Sequence, residues 1–314
     1  MDVVTRIADA VLYEGYILWP YRKSALKNQR RFGFGTVYPP GGPERSFNQT
    51  ACLLKGDEKA TVEVTVRFLH KVDRQIWRGG EPIDEVEIGG ELHQSWEEVV
   101  ERELRLLVDM RSPARLPFEI AAGASREELG GGCVVVRGWH TLRGSVVARA
   151  QLVRPGLFGL RVRTENVTPG DPDDRERSGL RSAHTVLVAR GGSFVSLTDP
   201  PPLLRKEAEA CENVGLWPVL VGAEGDRSTV LSSPIILPDY PEIAPESPGD
   251  LFDATEIDQM LVLNILSLTD AEKREMRSAD PRAREILERT EALSEEEMRR
   301  LHGTIREFGM ARRP

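Results

Sequence analysis

From Thr61 to Phe68 the chain reads TVEVTVRF, an alternation that puts Val62, Val64, Val66 and Phe68 on one face and Glu63, Thr65 and Arg67 on the other. Period-two patterning of this kind predicts a half-buried β-strand. Further on, Ser95 opens SWEEVVERELRLL, in which Ser95 and Glu98 have the spacing of a capping box and Trp96, Val99, Val100, Leu104 and Leu107 recur at helical intervals. That spacing predicts an amphipathic helix. Between Leu116 and Leu197 short β-rich runs follow one another: LPFEIAA, CVVVRGW, SVVARAQLV, FGLRVRTENVT, HTVLVA and SFVSL, separated by Gly, Pro, Asp and Ser. Strands at such spacing predict an antiparallel sandwich or barrel. LLRKEAEAC then reads as a short helix and WPVLVG as another apolar strand, and the β-rich region closes near Ile236.

The pattern changes after that point. Asp239 to Gln259 holds seven acidic residues and no Lys or Arg, with Pro241, Pro245 and Pro248 interleaved; this predicts an acidic connector stiffened by proline. Helix starts follow at Asp253 with Glu256, Thr269 with Glu272, Asp280 before Pro281, and Ser294 with Glu297, predicting three or four short helices. The fold class expected is α+β: a mainly antiparallel β sandwich or barrel with a helical C-terminal region. Its expected parts are a β-rich domain over 1–238 with an aromatic and basic N-terminal segment, a connector over 239–253, and helices over 254–314.

Composition narrows the classes. With 314 residues, 40% of them hydrophobic and 29% charged, the chain can bury a full core. It has no run of the roughly 18 to 20 apolar residues that a membrane span requires. The opening MDVVTRIADAVLYEGY lacks the pattern of a signal peptide, which predicts a cytoplasmic protein. Cys52, Cys133 and Cys211 form no CxxC pair, and the five histidines have no spacing that sets two ligands on one face, so neither a metal centre nor a cofactor is expected. Phosphate-binding loops, nucleophile elbows and dinucleotide turns are also missing from the sequence, which points away from an enzyme.

One stretch stands out chemically. Residues 11–39 bring Tyr13, Tyr16, Trp19, Tyr21, Phe32, Phe34 and Tyr38 beside Arg22, Lys23, Lys27, Arg30 and Arg31, with no acid between Gly15 and Pro43. Aromatic rings and arginines together supply rigid contact area and bidentate carboxylate pairing, the chemistry of a protein-binding surface. The alternative is that the rings seed the chain's own core while the cations neutralise the acidic connector. Single-stranded nucleic acid is a weaker reading, because the net charge of −8 opposes phosphate backbones. The acidic side of the same reading supplies Asp239, Tyr240, Glu242, Glu246 and Asp250 as partner-binding candidates.

At LYEGYILWPYRKSALKNQRRFGFGTVYP, at NVGLWPVLVG and at LSSPIILPDYPEIAPESPGDLFDATEID, the chain resembles a family of uncharacterised actinobacterial proteins associated with gene clusters for uptake nickel-iron hydrogenases. The resemblance runs from Ile7 to Arg306. It implies an accessory or assembly role beside a metalloenzyme, with a hydrogenase subunit or maturation factor as partner, and attaches no catalytic or ligand role to any residue. The competing expectation, from the residues, is an enzyme with a cleft between the β domain and the helical tail, lined by Asp239, Tyr240, Glu242 and Glu246.

Overall fold

The computed structural model describes residues 3–14, 16, 21, 35–169, 175–242 and 258–294. The alternating segment belongs to a much longer strand, β1 (Phe47–Arg78). Along it Val62, Val64, Val66 and Phe68 are fully buried. Then come β2 (Glu81–Ile83), β3 (Glu85–Ile88), β4 (Glu91–Gln94), β5 (Trp96–Asp109), β6 (Ala114–Ile120), β7 (Gly123–Gly130), β8 (Cys133–Trp139), β9 (Leu142–Arg154), β10 (Leu157–Asn166), β11 (Arg181–Val195), β12 (Trp217–Leu220) and β13 (Thr229–Ser233). Every ladder among the described residues is antiparallel.

β1 organises this sheet by pairing along both edges. One edge takes β10 at Phe47–Lys55 and then β5 at Thr61–Arg74. The other takes β11 from Leu53 to Leu69 and then β8 from Asp73 to Arg78. From β10 the sheet runs through β9 to β6, and β6 curls back over β1 until Phe118 meets Phe68, ring centroids 6.1 Å apart. The enclosed space is filled by Leu54, Val64, Leu142, Val146, Leu160 and Leu187. The curl needs a bare backbone at Gly144, where a Cβ would stand 2.3 Å from the Glu165 carbonyl oxygen and 2.4 Å from the Phe118 ring.

The helix expected from Ser95 is instead β5, and tertiary pairing is the reason. Fourteen consecutive residues ladder onto β1, from Thr61 opposite Asp109 to Arg74 opposite Trp96. The main-chain hydrogen bonds of such a ladder outweigh a helical preference of tenths of a kcal/mol per residue. Ser95, read as a helix cap, donates its hydroxyl to the Ile83 carbonyl and accepts the Ile76 amide. Glu98, read as its capping partner, binds Arg74 and Arg137.

Helix α1 (Val3–Tyr13) precedes the sheet and was not foreseen from the sequence. Its Ile7, Ala8 and Val11 pack on Val219, Val221 and Leu231 of the β12–β13 region. A 3-10 turn (Pro202–Leu204) and α2 (Arg205–Glu209) stand where LLRKEAEAC predicted a helix. The C-terminal region forms α3 (Asp258–Leu266), α4 (Asp270–Ala279) and α5 (Pro281–Glu291). The Asp253 start and the helix expected after Ser294 lie outside the described residues. Among those residues no helix is long and apolar enough to cross a membrane.

Two of the expected caps are formed. Thr269 and Glu272 close a reciprocal capping box on α4, and Asp280 accepts the Arg282 amide while Pro281 takes the first turn of α5. Thr269→Ala removes one side of the box and is expected to lower stability by about 1 kcal/mol. A urea midpoint unmoved by the change would count against it.

Candidate functional site

The tyrosines of the N-terminal segment meet the C-terminal helices. Leu12, Tyr13, Tyr16 and Tyr21 share a cluster with Leu69 and Trp96 of the sheet and with Leu261, Ile265, Met276, Ile286 and Leu287 of the tail. Tyr13, Tyr16 and Tyr21 are 6%, 6% and 0% exposed. The Tyr16 hydroxyl donates to Asp280 Oδ2 at 2.8 Å, and the Tyr13 hydroxyl donates to Glu101 Oε1 at 2.6 Å. Expected as members of a partner surface, these three rings are placed inside the chain's own fold. The segregation of aromatics and the helical tail were both visible in the sequence, but their contact was not. Trp19, Arg22, Lys27, Arg30, Arg31, Glu246 and Asp250 lie outside the described residues.

Glu101 is the polar centre of this joint. Besides Tyr13 it holds Arg282 Nη2 at 3.1 Å and Arg67 Nη2 at 3.2 Å; Arg67 also reaches Asp9 of α1, and the Arg282 guanidinium lies 4.5 Å over the Tyr13 ring. Burial acts to raise the Glu101 pKa, but the Tyr13 hydroxyl and the two guanidinium groups outweigh it and hold the carboxyl below its ordinary range. Burial, then the Glu101 carboxylate, pushes the Tyr13 phenol well up. A phenol and carboxylate held this way bind a helix to a sheet rather than exchange protons with a substrate.

The acidic candidates occupy a different place. Asp239 Oδ2 accepts the Ser196 hydroxyl at 2.5 Å and Oδ1 accepts the Leu220 amide at 2.8 Å. The Tyr240 amide donates to the Leu220 carbonyl, and the Tyr240 ring packs against the main core. Glu242 is exposed. Asp239 and Tyr240 thus pin the start of the connector to β12, and both Asp239 oxygens are engaged within the chain. Cys133 is buried beside Arg78, whose Nε donates to its Sγ at 3.1 Å. Among the described residues, no group of three or more His, Cys, Asp or Glu is placed to hold a metal ion.

Two histidines are buried on neighbouring strands, His70 on β1 and His184 on β11. His184 is fully buried, its Nδ1 3.1 Å from the Ser182 carbonyl. His70 is also fully buried, with Nε2 3.0 Å from the His140 carbonyl. Desolvation pulls both imidazoles down to about 4, so both are neutral at pH 7.

The feature that sequence reasoning missed is a seam between β5 and β6. Among the described residues, β5 pairs only with β1 and β6 pairs only with β9, and the turn between them carries one isolated bridge, Asp109 to Ser112. Pleat parity explains the gap. Leu104, Leu106 and Val108 point inward on β5, and Ala114, Leu116, Phe118 and Ile120 point inward on β6. Continuing the ladder from the Asp109 bridge would set outward Leu107, 63% exposed, opposite inward Ala114. One of the strands would have to flip its whole apolar face to pair, so they diverge. The result is two unpaired strand edges lined by half-buried Leu104, Leu106, Leu116, Phe118 and Ile120. The even-position alternation of Arg102, Leu104, Leu106 and Val108 and the β-branched pair Val99–Val100 were the available signal, masked by a competing helical period.

No family model matches this chain, and no curated protein does. Among solved structures it is similar to the secretin-domain β-barrel of InvG from the Salmonella SPI-1 injectisome NC-base, at 12% identity, over 71% of this chain and 70% of that one, with a TM-score of 0.14. A score of that size carries no correspondence of fold or function.

Proposed function

We propose that this chain is a non-enzymatic interaction protein that acts by protein–protein contacts, and that its partner is a nickel-iron hydrogenase subunit or maturation factor. The partner class rests on the resemblance of the N-terminal and connector segments. The interaction reading is supported by the β5–β6 seam, since unpaired strand edges beside half-buried aliphatic side chains are the features by which a sheet accepts an added peptide strand. The catalytic alternative loses support at Asp239, whose two oxygens are taken by Ser196 and Leu220.

The test is capture of hydrogenase subunits and maturation factors by the tagged full chain, compared with Leu106→Lys and Leu107→Lys. Leu107 is exposed and Leu106 half-buried, so a lysine stem can follow the surface with its ammonium in water. Circular dichroism and a melting curve establish that each variant folds. The expected result is recovery of a hydrogenase component by the wild type and its loss from both variants. Recovery of none by the wild type, or equal recovery by folded variants, overturns the proposal.

A further inference from the structure

The outward face of β6, β9 and β10 carries arginines in register. Val146, Ala148, Leu160 and Val162 point into the core, so Arg115, Arg149, Arg161 and Arg163 share the opposite face. The pairing lays them in two rows: Arg115 opposite Val147 and Val147 opposite Arg163, then Arg149 directly opposite Arg161. Directly opposed side chains have Cβ atoms about 5 Å apart, and like charges so placed destabilise a sheet.

Carboxylates relieve the repulsion only in part. Arg163 is satisfied by Glu165 at 2.6 Å and stacks over the Phe47 ring at 3.5 Å. Arg161 reaches only Glu212, at 3.6 Å and itself 76% exposed. Arg115 and Arg149 have no carboxylate partner among the described residues, whereas Arg67, Arg74, Arg137 and Arg181 elsewhere on the sheet all do. In a chain of net charge −8, this is a local cationic surplus kept at a cost to stability.

We propose that the outer face of β6, β9 and β10 binds an acidic peptide segment of a protein partner, with carboxylates bridging Arg149 and Arg161 and reaching Arg115. Guanidinium pairs suit carboxylates because each presents two parallel N–H donors. Nucleic acid is the poorer fit: Phe47, the ring on this face among the described residues, lies under Arg163 and offers bases no platform. The inference rests on the interaction reading above and names what one surface of the chain recognises.

The experiment is fluorescence anisotropy of labelled poly-glutamate, with poly-glutamine and a single-stranded oligonucleotide as comparisons, at low and at physiological salt. The full chain is compared with the double variant Arg149→Gln, Arg161→Gln, with Arg190→Gln as an exposed arginine on β11, and with Leu106→Lys at the seam. The expected result is salt-sensitive binding of poly-glutamate, at least about tenfold weaker in the double variant. The double variant should also melt no lower than wild type, because a like-charge pair is gone. Arg190→Gln and Leu106→Lys should bind poly-glutamate as wild type does. No poly-glutamate binding, equal binding by the double variant, or tighter binding of the oligonucleotide overturns the proposal. Loss of hydrogenase capture by Leu106→Lys tests the seam alone, so the two readings fail separately.

Discussion

Acidification from pH 7 to pH 5 is expected to remove about 2 kcal/mol of stability through His184 alone. In the unfolded chain its imidazole takes up a proton near pH ~6.5, while in the fold it resists protonation until about 4. Between those values the unfolded state binds more protons, so stability is fullest above the upper value and falls as pH falls towards the lower. His70, also drawn down to about 4, acts in the same direction. Glu101 has the opposite chemistry and a lower window: its depressed carboxyl adds stability above the ordinary carboxylate range, and that increment is lost on further acidification. Urea titrations at pH 7 and pH 5 measure the first effect, and coincident midpoints would mean that the two imidazoles are not held neutral.

Gly144→Ala is expected to cost about 2 to 3 kcal/mol, the scale of overpacking a well-filled interior. The added methyl has nowhere to go, with the Glu165 carbonyl on one side and the Phe118 ring on the other. Relief requires β6 to lift away from β1 and so loosens the Phe68–Phe118 contact. Gly138→Ala on β8 is the matching control: a Cβ there meets nothing within 4 Å, and the expected change is within about 0.5 kcal/mol. Equal effects at the two sites would show that the curl of β6 does not depend on close approach at Gly144.

How much was legible follows from where each signal resides. Period-two alternation at Thr61–Phe68 was readable because one face of that stretch is buried more deeply than the other, and the runs that became β6 and β8 to β12 were readable as short β-rich stretches between Gly, Pro, Asp and Ser. The caps at Thr269 and Asp280 were readable because capping is local chemistry. β5 was not, because Val99, Val100, Leu104 and Leu107 satisfy a helical period while the deciding partner, β1, lies some thirty residues back in the ladder at Lys71 and beyond. α1 carried its signal as an apolar stripe at Ile7, Ala8, Val11 and Leu12. For the site, the clustering of tyrosines was visible and their direction was not, since it is set by helices that begin more than two hundred residues later. The arginine rows were invisible for a related reason: Arg149 and Arg161 become neighbours only through register.

β1 also sets the order in which a ribosome can deliver this fold. Val64 has its β11 partner in Leu187, 123 residues further on, and at bacterial-to-eukaryotic synthesis rates of about 5 to 20 residues per second that partner emerges roughly 6 to 25 s later. During the interval β5 can occupy one side of the strand while the other side, with Leu53, Val62, Val64 and Val66 beside it, waits unpaired on the nascent chain. The protein should therefore depend on a holding chaperone during synthesis more than its finished, well-packed interior would suggest, and slowed translation between β5 and β11 should increase its aggregation.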